Sequence, residues 1–252
     1  MLKAREYIDI ILPNYNSSKY LKQTINSVIT QTYQNWQLII IDDCSDKKTL
    51  NLLKKFDKHR KIKIYYQKKN NGAGFCRNLG MKKSKSPYIA FIDSDDIWNK
   101  NKLEKQINFM KKNHYSFSYT YYETFGEKKK IIKPPLSFNY ESFIKNTSIG
   151  TSTMMIERKK LKNIRFTNSK ICEDYYFKCK LLKKVNFAYC LNKFLTKYRI
   201  RNNSMQSNNL KNIFWIWKIN KDFNKLGFLN NLFSVINISI NSIKKYGGKN
   251  FF

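Results

Sequence analysis

Short apolar runs alternate, in the first half of the chain, with stretches whose apolar residues recur every three or four positions. The runs predict buried strands at residues 8–12, 37–41, 62–66 and 88–92. The recurring positions predict helices, marked by Leu21, Ile25, Val28 and Ile29, by Leu50, Leu53 and Phe56, by residues 73–81, and by Leu103, Ile107 and Met110. This alternation predicts an α/β fold built on a mostly parallel, doubly wound sheet with right-handed crossovers.

Polar and chain-breaking residues predict where these elements begin and end. Pro13 should stop the first strand, because proline cannot donate to a strand ladder. Ser17 or Ser18 should cap the first helix, since a serine hydroxyl can accept from a free helical N–H. Residues 70–72, Asn-Asn-Gly, are typical of a turn and precede the helix over 73–81.

The second half of the chain predicts a mixed extension of the sheet. Residues 115–123 and 151–157 read as strands, a late strand covers 197–200, and a helix begins near Cys172. From residue 207 onward the pattern is helical and aromatic. Two interpretations of this C-terminal segment stand: its helices cover the core, or their aromatic face and flanking lysines lie on a membrane surface.

Acidic residues follow two of the predicted strands directly. Asp42 and Asp43 come after the strand at 37–41, and Asp93, Asp95 and Asp96 come after the strand at 88–92. In an open α/β sheet, ligands bind outside the carboxyl ends of the strands, so both clusters should face one crevice. A divalent cation or a sugar hydroxyl could meet them there. The alternative is a solvated acidic turn in which Asp96 caps the next helix.

Composition adds a strong positive charge. The chain has 252 residues, and 49 Lys and Arg against 17 Asp and Glu give a formal charge of +32. Such a charge suggests nucleic acid or an anionic membrane. The lysine runs, such as 128–130 and 183–184, are short, and Lys, Asn and Ile are abundant together. We therefore expect a solvated basic surface that attracts anionic lipid or a nucleotide diphosphate, with no specific nucleic-acid partner.

The cysteines and the termini bear on the compartment. The five cysteines are odd in number and lack Cys-x-x-Cys spacing, which supports neither a disulfide framework nor a zinc site. The N-terminal residues lack the apolar core of a signal peptide. Residues 226–243 carry four Asn and three Ser, which is too polar for a transmembrane helix. We expect a cytoplasmic protein, and attachment to the inner face of the cell membrane stays open as one of the two interpretations of the C-terminal segment.

Six motifs, in their order and spacing, resemble the family 2 glycosyltransferases. They are Leu12-Pro13-Asn14-Tyr15-Asn16, residues 27–33, Ile41-Asp42-Asp43-Cys44-Ser45, residues 74–78, Asp93-Ser94-Asp95 and Glu173-Asp174-Tyr175. The resemblance runs from Ile8 to about Ser207 and implies inverting enzymes with the GT-A nucleotide-diphospho-sugar transferase fold. It also implies a GT-A domain at 1–206, with a nucleotide-binding half at 1–112 and an acceptor-side half at 113–206, and a C-terminal helical segment at 207–252.

The resemblance implies roles for the donor-side residues. Asp95 would be the direct ligand of Mn²⁺ or Mg²⁺, and Asp93 would hold the ribose or assist the metal. Asp43 would accept a hydrogen bond from the base, typically uracil, in a pocket lined by Pro13 and Tyr15. A cation held by carboxylates is what the growing charge of a nucleoside diphosphate leaving group requires.

The resemblance implies that Arg77 directs its positive charge at the nucleotide. The sequence pattern alone predicts an arginine on the surface of a helix. Arg201 stands where many relatives have a histidine near the diphosphate. Since arginine cannot bind a metal but can neutralise the diphosphate, metal dependence is expected to be looser than usual.

Asp174 would be the base that deprotonates the acceptor hydroxyl, with Glu173 and Asp42 in support. The alternative for Glu173 and Asp174 is simple stabilisation of a helix N-terminus.

The resemblance predicts transfer of a sugar from a nucleotide-sugar to a glycan or lipid-linked oligosaccharide in surface polysaccharide synthesis. The expected donor is a UDP-sugar. A second hypothesis is a non-catalytic basic binding module that attaches to nucleic acid or anionic membrane, supported by the charge of +32. A nucleotidyltransferase would also need acids and a metal, but residues 13–16 do not form its glycine-rich loop.

Overall fold

The computed structural model describes residues 6–167, 169, 171–201 and 209–246. The strands of this described part are β1 Ile8–Asn14, β2 Trp36–Asp42, β3 Ile62–Tyr66, β4 Tyr88–Phe91, β5 Ile97–Trp98, β6 Phe117–Gly126, β7 Lys130–Ile132, β8 Ser137–Phe138, β9 Met155–Glu157 and β10 Ala188–Ile200. The helices are α1 Leu21–Ile29, α2 Lys47–Lys54, α3 Ala73–Lys83, α4 Lys102–Lys112, α5 Tyr140–Phe143, α6 Glu173–Val185, α7 Asn209–Asp222 and α8 Phe228–Tyr246. Short 3₁₀ turns cover Thr151–Thr153 and Arg158–Leu161.

One mixed sheet runs in the order β3-β2-β1-β4-β9-β6-β10-β5, with β7 beside β6 and β8 beside β10. Strands β3, β2, β1 and β4 are mutually parallel, whereas β9 is antiparallel to both β4 and β6. The predicted α/β fold with a mixed second half is therefore confirmed. Because β1 lies between β2 and β4, the acids at the ends of those two strands flank the same crevice.

The end of β1 differs from the prediction at Pro13. The strand continues through Pro13 to Asn14, and these residues pair with Ile41 and Asp42 of β2. Peptide groups alternate sides along a strand, and Ile11 accepts from Ile92 on the β4 side. Pro13 therefore also faces the β4 side, where pairing has ended at Ile11, so its missing N–H leaves no ladder bond unmade.

The predicted cap of α1 is wrong. The N-cap is Tyr20, whose side chain makes no capping hydrogen bond. Ser17 instead accepts from the Tyr20 and Leu21 N–H groups through its carbonyl, and its hydroxyl donates to the Asn14 side chain. A turn held by the backbone thus replaces the serine cap.

Two further boundaries differ. Asp96 does not cap a helix, because β5 follows it and α4 begins only at Lys102 with Asn101 as N-cap. Residues 151–157 are not one strand: a 3₁₀ turn over Thr151–Thr153 precedes β9.

The core has one apolar layer on each face of the sheet. One layer is centred on α1, α4 and the inner strands, and the other on α3, α6 and the terminal helices. Ile216 and Ile219 of α7, with Val235 and Ile238 of α8, pack into the second layer. The C-terminal helices therefore cover core, as one of the two interpretations held. Within the described ranges, no helix is both long and apolar enough to cross a bilayer.

Candidate active site

Arg77 of α3 joins the two acidic groups that the sequence places far apart. It is 5% exposed; its Nη2 lies 2.7 Å from Asp93 Oδ1, and its Nη1 lies 2.6 Å from Glu173 Oε1. Burial alone would lower the Arg77 pKa, but the two carboxylates outweigh it and raise the pKa. Arg77 thus holds the loop after β4 against the first turn of α6. Its two terminal nitrogens bind protein carboxylates, which makes it a positioning residue here.

Helix α3 approaches α6 closely at Gly74. A Cβ atom at Gly74 would lie 2.4 Å from the Thr167 carbonyl oxygen and 3.2 Å from the Glu173 side chain. Only glycine fits at that position without a shift of backbone, so the residue permits the contact that Arg77 makes.

The loop between β4 and β5 is held by groups from three other elements. Ser152 accepts from the Asp93 N–H at 3.0 Å and donates to Asp96 Oδ2 at 2.5 Å. Thr24 Oγ1 donates to the Ser94 carbonyl at 3.0 Å. Arg199 donates from its backbone to Asp96 Oδ1 and from its Nε to the Asp95 carbonyl, both at 2.9 Å. The loop geometry is therefore preorganised, since both Asp96 oxygens and two loop carbonyls are already bonded.

Asp95 faces the cation Arg201. Its Oδ2 lies 2.8 Å from Arg201 Nη2. The Arg201 side chain is 46% exposed. Burial raises the pKa of Asp95, although Arg201 opposes the shift. Burial and the neighbouring Asp95 and Asp93 raise the pKa of Asp96 well above its usual range. The loop thus holds three acids, and burial destabilises the charged form of two of them, Asp95 and Asp96. A bound cation would stabilise these carboxylates.

The donor set fits a divalent cation that a ligand helps to hold. Among the described residues, no group of three or more His, Cys, Asp or Glu is placed to bind a metal. Asp95 and Asp93 offer carboxylate oxygens at one loop, and an octahedral ion completes its shell with waters and phosphate oxygens. These residues therefore suit Mn²⁺ or Mg²⁺ bound together with a diphosphate.

Asp43 and Asp42 lie buried at the end of β2 and organise the adjacent loops. Asp43 Oδ1 accepts from the Asn71 N–H at 2.9 Å, and Oδ2 accepts from the Gly72 N–H at 2.7 Å. Asp42 accepts from Asn14 Nδ2 at 2.6 Å and from the Ser45 N–H at 3.1 Å. Each Asp43 oxygen keeps a further lone pair, so a base N–H can still be accepted there. Asp42 is a structural support.

Pro13 and Tyr15 flank this end of β2. Pro13 is buried in β1, and Tyr15 leaves it with its side chain 50% exposed. Tyr15 is therefore free to cover a ligand at the crevice, whereas Pro13 shapes the wall.

Asp174 lies in the first turn of α6 and is held by two donors. Lys178 Nζ donates to Asp174 Oδ2 at 2.6 Å, and Thr151 Oγ1 donates to the same oxygen at 3.0 Å. Burial would raise the Asp174 pKa, but the Lys178 ammonium and the hydrogen bonds outweigh it and lower the pKa to about 2. Burial instead raises the pKa of the neighbouring Glu173, even though Arg77 opposes the shift. The surroundings of the two adjacent acids therefore move their pKa values in opposite directions.

Sequence reasoning missed Ser152, Arg199, Thr151 and Lys178. Lys178 was readable, because it lies four residues after Asp174 on a predicted helix and so shares its face. Ser152 and Thr151 carried no sequence signal, because they sit in a turn that the pattern predicted as a strand.

The glycosyl transferase family 2 model matches residues 9–184 of the chain. A Bacillus subtilis protein assigned to teichuronic acid biosynthesis, glycosyltransferase TuaG, is 34% identical over 250 residues, which cover 97% of this chain and 99% of that protein. The Escherichia coli UDP-Glc:α-D-GlcNAc-diphosphoundecaprenol β-1,3-glucosyltransferase WfgD is 35% identical over 242 residues, which cover 95% of this chain and 94% of that protein.

Solved structures share the fold. Staphylococcus aureus TarS 1–349 in complex with UDP-GlcNAc aligns with a TM-score of 0.73 at 20% identity, covering 94% of this chain and 73% of that one. The mannosyltransferase PcManGT from Pyrobaculum calidifontis, in complex with GDP-Man and Mn²⁺, aligns with a TM-score of 0.70 at 10% identity, covering 98% of this chain and 77% of that one. The arrangement of acids at the strand ends, the GT-A architecture and the family match lead to one conclusion: the chain belongs to glycosyl transferase family 2.

Proposed function

We propose that the protein transfers a sugar, with inversion, from a UDP-sugar to a hydroxyl of a polyprenyl diphosphate-linked acceptor in surface polysaccharide synthesis. One observation carries the proposal: Arg77 bonds Asp93 at 2.7 Å and Glu173 at 2.6 Å, so the donor-side loop and the first turn of α6 meet in one crevice. The acceptor class is supported by the name of WfgD, and the donor by that name and by the TarS complex with UDP-GlcNAc.

The donor side of the crevice is suited to a nucleoside diphosphate. Asp43 has lone pairs for a base N–H, and Tyr15 is exposed beside it. Asp95 and Arg201 then face the diphosphate with opposite charges. A divalent cation bound there would neutralise the charge that grows on the leaving group. Arg201 adds a fixed positive charge and can bind phosphate oxygens in a bidentate manner.

The acceptor side centres on Asp174. An inverting transfer needs one base to take the proton from the attacking hydroxyl. Asp174 is ionised at neutral pH, and Lys178 and Thr151 fix the orientation of its carboxylate. Oδ2 carries both of these hydrogen bonds, which leaves Oδ1 as the oxygen that accepts the proton.

We also propose that α8 places the enzyme on the inner face of the membrane. One face of α8 packs into the core, and the opposite face forms an exposed apolar stripe. The stripe consists of Leu229, Leu232, Phe233, Ile236, Ile240 and Ile243. These positions recur at helical spacing, and lysines flank them, which is the pattern of an interfacial helix on anionic lipid.

The alternative of a basic module without chemistry is not favoured, because the chain keeps the acids that the reaction needs in one crevice. The test is transfer by the purified full chain with UDP-Glc, UDP-GlcNAc and GDP-Man, each offered with a GlcNAc-diphosphoprenol acceptor in detergent. We expect UDP release coupled to acceptor consumption with a UDP-sugar. Transfer from GDP-Man alone would overturn the donor assignment, and donor binding without transfer to this acceptor would overturn the acceptor assignment.

A further inference from the structure

A basic cavity lies between β7 and α8. Its volume is about 380 Å³, and its walls include the four lysines Lys130, Lys133, Lys244 and Lys245. Asn146 adds a side-chain amide. Among the described residues that line it, none is acidic. Four lysines and no acid among the described lining residues favour a ligand with several negative charges.

The repulsion within this region is visible at Lys245. Burial, and to a smaller extent the nearby Lys178 ammonium, lower the pKa of Lys245 to about 8. An anion bound in the cavity would offset this repulsion between ammonium groups.

The cavity is close to Asp174. Lys245 is near enough to Lys178 for repulsion, and Lys178 bonds Asp174 at 2.6 Å. On the other wall, Ser148 lines the cavity and precedes Thr151, which donates to Asp174, by three residues. Three residues span at most roughly 11 Å of chain. One wall of the cavity is thus only three residues along the chain from a side chain that bonds the base.

The exposed apolar stripe of α8 runs up to the cavity. Ile240 belongs to the stripe, and Lys244, one helical turn later, lines the cavity. On the β7 wall, Ile131 also lines the cavity and is 64% exposed. A ligand in the cavity would therefore have charge contacts inside and an apolar path outside.

We propose that this cavity binds the diphosphate of the polyprenyl diphosphate-linked acceptor, while the prenyl chain leaves along the exposed apolar stripe of α8 toward the bilayer. This inference rests on the acceptor class given under the proposed function. The order sugar, diphosphate, prenyl chain matches the order Asp174, cavity, apolar stripe. The donor diphosphate has its own site at Asp95 and Arg201, so the four lysines are left for a second diphosphate. A nucleic acid has no apolar chain that could bind the adjoining apolar stripe.

The test compares two charge-matched triple variants of the full chain. The cavity variant carries Lys130→Gln, Lys133→Gln and Lys244→Gln. The control carries Lys54→Gln, Lys55→Gln and Lys58→Gln, three exposed lysines at and just after the end of α2. Lys245 is left unchanged because it is partly buried. Circular dichroism and UDP affinity check that both triples keep the fold and the donor site.

Binding is measured by sedimentation with phosphatidylcholine vesicles that contain undecaprenyl diphosphate, undecaprenol or phosphatidylglycerol. We expect the unaltered chain to prefer undecaprenyl diphosphate over undecaprenol. The cavity variant should lose at least about tenfold in affinity for undecaprenyl diphosphate vesicles, and the control triple should lose little. Equal losses in both triples would reduce the effect to overall charge and overturn the proposal. An equal loss on phosphatidylglycerol would assign the cavity to phospholipid headgroups, which also overturns it.

This readout needs no turnover, so it separates two failures. If the chain transfers no sugar but binds undecaprenyl diphosphate through the cavity lysines, the proposed function fails and the cavity assignment stands. If transfer to the diphosphoprenol acceptor is normal in the cavity variant, with KM for that acceptor unchanged, the cavity assignment fails and the proposed function stands.

Discussion

Lys178 and Asp174 form an ion pair of 2.6 Å across one turn of α6, and both side chains are largely withdrawn from solvent. The pair keeps Asp174 ionised, with a pKa of about 2, in a place where burial alone would favour its neutral form. A carboxylate with so low a pKa is a weak base. Lys178 thus fixes the charge and direction of Asp174 at some cost in basicity, and an acceptor hydroxyl that approaches Oδ1 meets an already oriented oxygen.

Asp174→Asn should remove general-base catalysis while it leaves the donor site intact. The amide keeps the size of the carboxylate and can still accept from Lys178, but it cannot take the proton. We expect turnover to fall roughly 10²–10⁴-fold with UDP affinity unchanged. Glu173→Gln is the matched control on the adjacent residue. Near-normal turnover in Asp174→Asn, or a larger loss in Glu173→Gln, would show that Asp174 is not the base.

Lys178→Met should change the pH dependence of the reaction. Without the ammonium, burial dominates and the Asp174 pKa rises from about 2, so the carboxylate becomes protonated at higher pH. The acid limb of kcat/KM, measured against pH, should move upward. Lys180→Met, on an exposed position of the same helix, is the control. An acid limb that coincides in the two variants would show that Asp174 is not the titrating base.

Asp95→Asn should weaken metal-assisted donor binding. The carboxylate and a diphosphate are expected to share the ion, and an amide oxygen without charge is a poorer ligand. Calorimetry with UDP, with and without Mn²⁺, measures the effect. We expect the affinity gain from Mn²⁺ to shrink in Asp95→Asn and to persist in Asp57→Asn, a surface carboxylate. An identical gain in Asp95→Asn would remove this residue from the metal site.

Lys102 should make the free energy of unfolding depend on pH. The side chain is fully buried, with Nζ 2.7 Å from Gln106 Oε1, and burial lowers its pKa to about 7. Between that value and the unfolded value the unfolded chain binds the extra proton, so stability rises with pH across this window. Lys102→Met should flatten this rise, by on the order of 2 kcal/mol between pH 7 and pH 9.

Urea unfolding of both forms at pH 7, 8 and 9 measures this difference. Lys105→Met, an exposed position on the same helix, serves as the control. If the free energy of unfolding changes equally with pH in the unaltered chain and in Lys102→Met, the pKa of Lys102 is not lowered in the folded protein.

The exposed apolar stripe of α8 should be needed for membrane binding. Leu229 is 77% exposed, and Phe233 and Ile240 continue the stripe without joining the core layer. Replacing these three with Gln should sharply reduce sedimentation with phosphatidylglycerol vesicles and leave folding unchanged. Phe187→Gln, an exposed aromatic outside α8, is the control. Unchanged vesicle binding of the triple would leave α8 as core cover only.

The sequence alone determined the elements that arise from local pattern. Strands such as β3 and helices such as α3 were predicted nearly at their observed bounds, because side-chain periodicity reports which face of an element is buried. The acids after β2 and β4 were also visible, since their position follows from where a strand ends. The contact between Asp174 and Lys178 could also have been predicted, because residues four apart on a helix lie on the same face.

Only the tertiary structure decided which partners these acids have. Arg77 bonds Glu173 at a separation of 96 residues, and Arg199 bonds Asp96 at a separation of 103. Such contacts depend on how α3, α6 and β10 dock on the sheet, and no local pattern encodes that docking. The same holds for the basic cavity, whose lysines come from β7, the residue after it and α8. Local interactions bring together residues one turn or one strand apart, whereas burial of the core brings together those that are a hundred residues apart, and the site is built from both.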